Sequence, residues 1–184
     1  ATLPEPPVQR RRRLQGEWGY SDLEMRDVIN AGAIEIIEAT VAAGATPAGA
    51  RKWWSGEIAR RANLDGRELT DMGITPRAVA ELDALVQGGR LNDSMARQVL
   101  DGVLAGEGNP GAVADARGLA LVSDDGALGA AADEVIAANP DLVEKIRSGK
   151  VQAAGALIGQ VMKAMAGQAD AARVRELIME RVGS

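Results

Sequence analysis

Gly149-Lys150-Val151-Gln152-Ala153-Ala154-Gly155-Ala156-Leu157-Ile158-Gly159-Gln160-Val161-Met162-Lys163-Ala164-Met165-Ala166-Gly167 decides the fold class. Ala154, Leu157, Ile158, Val161 and Met165 recur at i, i+3, i+4, i+7 and i+11, one apolar stripe of period near 3.6, so the stretch is a core-facing helix. Gly155 and Gly159 lie one turn apart within it, and each costs roughly 1 kcal/mol against Ala in a helix interior. Close approach of another backbone compensates for such glycines. The approaching group is either a second helix, which is the first expectation here, or a phosphate that a side chain would hold away. Gly149-Lys150 is not a phosphate loop, because that motif needs Gly where Glu144 stands and Ser or Thr where Val151 stands.

Outward from this helix, every segment carries helix punctuation. Leu3-Pro4-Glu5-Pro6-Pro7 reads as a stiff linker, and Arg10 to Arg13 open a helix ending near Trp18-Gly19, their side chains fanning round it as a solvated basic turn. Ser21 with Glu24 forms a capping box, and Ile34, Ile37 and Val41 line the next helix before Gly44. Thr46-Pro47 and Thr75-Pro76 each pair an N-cap with Pro at the first helical position. The helix from Thr46 to about Ala62 puts Ala50, Trp54, Ile58 and Ala62 on one face, which leaves Trp53 about 100° away among Arg51, Lys52, Arg60 and Arg61. There its indole either shelters lysine stems or stacks on a base. Asn92 caps a helix with Met95, Val99, Val103 and Leu104 inward; Asn109-Pro110 starts a short one that Gly118 closes. Ser123 is expected to cap a helix through about Ala138, Asn139-Pro140 to end it and begin another through Arg147, and Asp170 to cap the last. Gly106 to Gly111 matches G-x-G-x-x-G formally, but no strand precedes it, so it is a loop. The expected fold is all-α, about ten short helices in two small domains, 1–117 (with 1–20 a linker and first helix) and 118–184, joined near 107–122.

Composition narrows the chemistry. Three Trp, one Tyr and no Phe among 184 residues leave the core to Ala, Val, Leu, Ile and Met. Absence of Cys and His removes disulfides, thiolate or imidazole zinc sites and a histidine base. No apolar run reaches the ~20 residues of a membrane span, so a cytoplasmic location without membrane contact is the expectation. Net charge is −5, carried as +1 on residues 1–67 and −6 on 68–184, so local patches must carry any nucleic-acid contact. One such window stands out: from Lys145 to Ala169 there is no acidic residue, while Lys145, Arg147, Lys150 and Lys163 are present.

The run Gly149-Lys150, Gly155, Leu157-Ile158-Gly159-Gln160-Val161-Met162-Lys163 and Gly167 resembles the tail domain of the B subunit of bacterial aspartyl/glutamyl-tRNA amidotransferases (GatB), a module similar to the small YqeY-like proteins. Upstream, Trp53, Gly56-Glu57 and Asn63 resemble that family's helical-domain signature, and Leu3-Pro4-Glu5-Pro6 its hand-over from the catalytic domain. The chain departs from the pattern at Lys52, where Asn is usual, and after Lys163, where further lysines and Asn-Pro give way to Ala166, Gln168, Asp170 and Ala171. The resemblance implies tRNA as a partner, together with the A and C subunits through a domain outside this chain. By the same resemblance that domain holds the ATP and Mg site, and these residues hold no cofactor.

Three functions compete. The first is a tRNA-docking portion of the amidotransferase, a carbon-nitrogen ligase that uses glutamine as amide donor. The proposed contact set is Lys145, Arg147, Lys150, Gly155, Gly159 and Lys163, with no catalytic or metal residue. An autonomous enzyme is the second; its only clustered carboxylates, Asp124-Asp125 and Asp133-Glu134, occupy helix-start or exposed positions that capping explains. The third is a helical protein-interaction module that never touches RNA.

Overall fold

Short polar side chains set most of the helix starts. The structure, a computed structural model, describes residues 5–183. Among them are twelve α-helices and no strand: α1 (Pro7–Trp18), α2 (Asp22–Asn30), α3 (Ile34–Ala42), α4 (Pro47–Arg51), α5 (Ala59–Asp65), α6 (Pro76–Gln87), α7 (Asp93–Leu104), α8 (Pro110–Ala116), α9 (Asp125–Ala138), α10 (Pro140–Arg147), α11 (Ala154–Ala164) and α12 (Ala171–Val182). The all-α expectation holds. Ser21 and Glu24 close the reciprocal capping box of α2, and Thr46, Thr75, Asn109 and Asp170 accept backbone N–H groups at the starts of α4, α6, α8 and α12. At α9 the cap is Asp124, which accepts from the Gly126 amide, rather than Ser123. Leu3 and Pro4 of the expected linker lie outside the described residues, and Pro7 already belongs to α1.

The chain divides into two compact units. One runs through Gly88 and resumes over Ala96–Arg117; the other comprises Gly89–Met95 and the residues from Gly118 onward.

In the first unit α4 and α5 are not separate rods. A π-helical stretch, Lys52–Ile58, joins them into one continuous helix. The i→i+5 closure widens the turn and shortens the angular step between neighbours, so adjacent residues can share a face that an α-helix would deny them. This overturns the flank position expected for Trp53: it is 1% exposed and Trp54 0%. Trp54 Nε1 donates to Thr40 Oγ1 at 2.7 Å, and Thr40 Oγ1 donates to the Ile36 carbonyl at 2.6 Å, so the buried indole N–H is satisfied. Lys52 Nζ lies 5.0 Å from the Trp53 ring centroid. Met25, Val28, Ile37, Ile58, Leu82, Val99 and Leu100 of the same unit are buried as well.

Two polar devices brace this unit. Asp83, buried to 2% exposure, accepts from both the backbone N and Oγ1 of Thr46, at 2.8 and 2.9 Å. A Cβ on Gly49 would sit 1.9 Å from its Oδ1, so glycine is required there. Nearer the surface, Glu57 accepts from Arg97 Nε at 2.7 Å and Arg61 Nη1 at 2.9 Å, while Arg61 Nη2 reaches Asp101 at 2.6 Å. The Arg97 hydrogen bond, with those of Arg61 and Arg60, brings the Glu57 carboxyl down to about 2. Of the arginine run of α1, Arg11 and Arg12 are exposed as expected, whereas Arg10 pairs with Glu38 at 2.5 Å and Arg13 with Glu5 and Glu17 at 2.9 and 3.0 Å.

The second unit is built on α9, α10, α11 and α12. Leu128, Ala132, Ile146, Ala154, Leu157, Val161, Val174, Leu177 and Ile178 form its core, with Ile158 and Met165 packed against it, so the apolar stripe of the α11 sequence faces inward as expected. Val122 and Ala169 make a lone parallel bridge, in which the Val122 amide donates to the Gln168 carbonyl at 2.6 Å. Arg173 grips Asp125 with two hydrogen bonds of 2.7 and 2.6 Å, and Arg181 holds Asp133 at 2.5 Å, so one carboxylate of each cluster is engaged by an arginine.

Candidate nucleic-acid interface

The Gly149-Lys150 pair ends a helix. Lys150 N–H donates to the Lys145 carbonyl at 2.9 Å and Gly149 N–H to the Ile146 carbonyl at 3.0 Å, a Schellman closure of α10, with Gly149 at φ +91° where a side chain would be strained. After the reversal Lys145 and Lys150 line one surface depression together with Gly149, Val151, Gln152 and Ala153. A single 3₁₀ turn, Val151–Ala153, then leads into α11.

α11 exposes Gly155, Ala156, Gly159, Gln160 and Lys163. A Cβ built on Gly155 or on Gly159 meets nothing within 4 Å. The expected packing of a neighbouring helix on these glycines is therefore overturned within this chain: their face is open. Gly155, Gly159 and Lys163 follow one another at intervals of four, a ridge about 12 Å long from the first to the last at 1.5 Å per residue. Gln160 is held by a reciprocal amide pair with Asn139, at 2.9 and 3.1 Å.

Among the described residues Lys145, Lys150 and Lys163 form no ion pair, in a chain whose arginines are mostly engaged with carboxylates. Their ammonium groups stay solvated and available to an outside anion. Asp141 and Glu144 flank Lys145 on its other side and moderate the local field. Arg147 stands apart. Its Nε donates to the Val182 carbonyl at 3.2 Å, at the end of α12, and it lines a different depression with Ile136, Pro140 and Val143. The structure thus groups Lys145 with Lys150, places Gly155, Gly159 and Lys163 on one open face, and turns Arg147 elsewhere.

Sequence reasoning passed over a polar cleft in the first unit, lined by Arg51, Lys52, Ser55, Asn63 and Arg67 beside the π-helical turn. Ser55, Ala59 and Asn63 recur every four residues there, but the π stretch hides which of their neighbours share the face. Among the described residues no group of three or more His, Cys, Asp or Glu is placed to hold a metal ion, and no helix is long and apolar enough to cross a membrane.

Residues 35–182 match the GatB domain family. The chain is 68% identical over its whole length to the B subunit of the aspartyl/glutamyl-tRNA(Asn/Gln) amidotransferase of Kineococcus radiotolerans, covering 36% of that relative. The corresponding protein of a Nocardioides species is 65% identical across 98% of the chain, and that of Salinispora arenicola 62% across all of it, with 36% and 37% of those relatives covered. The chain spans about a third of the length of the curated relatives it matches. A family match over most of its residues, with nearly two-thirds identity or better end to end, makes this chain a member of the GatB domain family.

Proposed function

We propose that this chain is the C-terminal, tRNA-docking portion of an amidotransferase B subunit, working in the cytoplasm. In this reading it holds misacylated Glu-tRNA(Gln) or Asp-tRNA(Asn) while a catalytic domain outside these residues, with its ATP and Mg, and the A and C subunits carry out the transamidation. The observation that carries the reading is the open glycine ridge of α11 ending in Lys163, beside the depression lined by Lys145 and Lys150. A phosphodiester backbone can lie against Gly155 and Gly159 without displacing a side chain, and meets an unpaired ammonium at the end of the ridge. Recognition of this kind reads shape and phosphate. Both indoles of the Trp53-Trp54 pair are buried, and neither is offered for base stacking.

The test is retention of total tRNA in gel shifts at two salt concentrations, comparing the chain with a Lys150→Glu, Lys163→Glu double variant. Each lysine that no longer meets a phosphate should lower the slope of log K against log salt by about one unit and weaken all tRNAs nearly alike. Unchanged low-salt affinity in a double variant that keeps its helicity would refute the reading. The rival reading, a helix-binding module, draws on the same ridge together with Val151, a large apolar side chain 45% exposed beside it. It predicts that Gly159→Leu abolishes partner binding with little salt dependence.

A further inference from the structure

Lysine is scarce in this chain and unevenly placed. Of the 21 basic side chains only Lys52, Lys145, Lys150 and Lys163 are lysines, and the last three stand in the acid-free window from Lys145 to Ala169. All three are exposed and form no ion pair, whereas the one arginine of that window, Arg147, donates to the Val182 carbonyl. Lys52 is half-buried, with its Nζ 5.0 Å from the Trp53 ring centroid. Elsewhere arginines make the structural pairs, with Glu38, Glu57, Glu107, Asp125 and Asp133 among their partners. The free cations around the start of α11 are therefore all primary amines, and among the described residues they are the exposed amines of the chain.

The two kinds of cation differ in covalent chemistry. Both attract phosphate, but the lysine amine is the one that is readily acylated, and the amide so formed carries no charge. With neither Cys nor His in the chain, no thiol or imidazole competes for an acyl group. Charge then selects the donor. Lys145 and Lys150 are the charged residues lining the depression before α11, and no carboxylate lines it with them. Asp141 and Glu144 line the adjoining depression with Lys145; counted against the four basic side chains of the window, they leave it at +2. An anionic donor is drawn to such a surface. An acyl phosphate fits, because its leaving group is a phosphate, the group this surface is read as docking.

We propose that Lys145, Lys150 and Lys163 form an acylation site that takes acyl groups from an acyl phosphate, and that this modification turns tRNA docking down. The neutral amine attacks the acyl carbonyl carbon; the N–C amide bond forms as the C–O bond to phosphate breaks, inorganic phosphate leaves with that electron pair, and the amine proton passes to water. Nothing is oxidised or reduced. The regulatory half rests on the tRNA-docking reading, while the site itself does not. Each ammonium lost removes one phosphate contact, a change of roughly five- to tenfold in affinity at about 0.1 M salt, so loss of all three lowers affinity roughly a hundredfold or more.

The experiment treats the full chain with acetyl phosphate, with inorganic phosphate as the control, maps the modified residues by peptide mass spectrometry, and measures total-tRNA retention in gel shifts before and after. In the folded chain Lys145, Lys150 and Lys163 should be acetylated several-fold faster than Lys52, and the difference should vanish in urea. Affinity for tRNA should fall, and the slope of log K against log salt should shrink by about one unit per lysine modified. A Lys145→Arg, Lys150→Arg, Lys163→Arg triple variant keeps the charges without the amines, so treatment should leave its affinity where it stood before treatment. Acetylation of Lys52 as fast as the other three in the folded chain overturns the site. Undiminished retention by the acetylated chain, or an equal loss on treating the triple variant, overturns the regulation while leaving tRNA docking intact. An untreated chain that retains no tRNA at low salt refutes the docking reading and the regulation with it, and the acetylation map then decides the site on its own.

Discussion

Replacing Glu57 by Gln should destabilise the first unit at neutral pH and leave it unaffected in strong acid. The carboxyl titrates at about 2 in the folded chain against 4.5 for an unperturbed one, chiefly because Arg97 donates to it, with Arg61 and Arg60 adding to the effect. A difference of that size corresponds to at most about 3 kcal/mol at 1.36 kcal/mol per unit. Glu57 is only 16% exposed in its side chain, but Arg97 is 46% exposed, and solvent around the arginine reduces the expected contribution to about 1–2 kcal/mol. Since the folded value lies below the unfolded one, this stability is fully present above about pH 4.5 and drains away as pH falls toward 2, more than half of it being gone by about pH 3. The assay is built into the sequence: Trp18, Trp53 and Trp54 all precede Gly88, so tryptophan fluorescence during urea unfolding reports on the first unit alone. Parent and Glu57→Gln should differ by about 1–2 kcal/mol at pH 7, with the gap narrowing steadily below pH 4.5. Equal stabilities at pH 7, or a gap of constant size down to pH 3, would refute the argument.

Gly49→Ala should cost about 2–3 kcal/mol or more by the same fluorescence assay, because its Cβ meets the buried Asp83 carboxylate at 1.9 Å; a loss below about 0.5 kcal/mol would mean that Asp83 moves freely. Ala166 is the only described non-glycine residue with positive φ, at +52° in the turn closing α11, so Ala166→Gly should stabilise the second unit by about 0.5–1 kcal/mol, seen as a few-fold slower hydrogen exchange at Leu157 and Val161. Gly155→Ala with Gly159→Ala should raise helix stability by roughly 1–2 kcal/mol in thermal unfolding followed by circular dichroism; destabilisation instead would show that these glycines are covered.

What could be read from the sequence was whatever short-range chemistry decides. The capping box at Ser21-Glu24, the Thr-Pro and Asn-Pro starts and the stripe from Ala154 to Met165 each depend on residues within a few positions of one another, and each appears where expected. Twelve helices stand where about ten were anticipated, partly because the helix begun at Pro47 is interrupted by its π stretch. That interruption also defeated the placement of Trp53, since a projection at a fixed angle per residue cannot register a locally wider turn. At Asp124 two adjacent capping residues competed, and one position decided between them. Of the candidate site, the acid-free window and the glycine spacing were legible, whereas the openness of the glycine face and the divergence of Arg147 from Lys145 depend on what the rest of the unit places around them.

The π stretch also governs which changes of length the chain can bear. An i→i+5 turn accommodates one residue more than an i→i+4 turn between the same flanking segments. Losing a single residue between Lys52 and Ile58 can therefore be absorbed by tightening that turn, with Ala62 still facing inward and Arg61 still opposite Asp101. The same loss in the middle of α6 or α11, where every turn is already of the tighter kind, rotates all later residues of the helix by about 100° and turns buried leucines and valines toward water. Single-residue deletions scanned along these helices should accordingly find their one tolerant stretch beside the buried indoles, where substitutions are least forgiving.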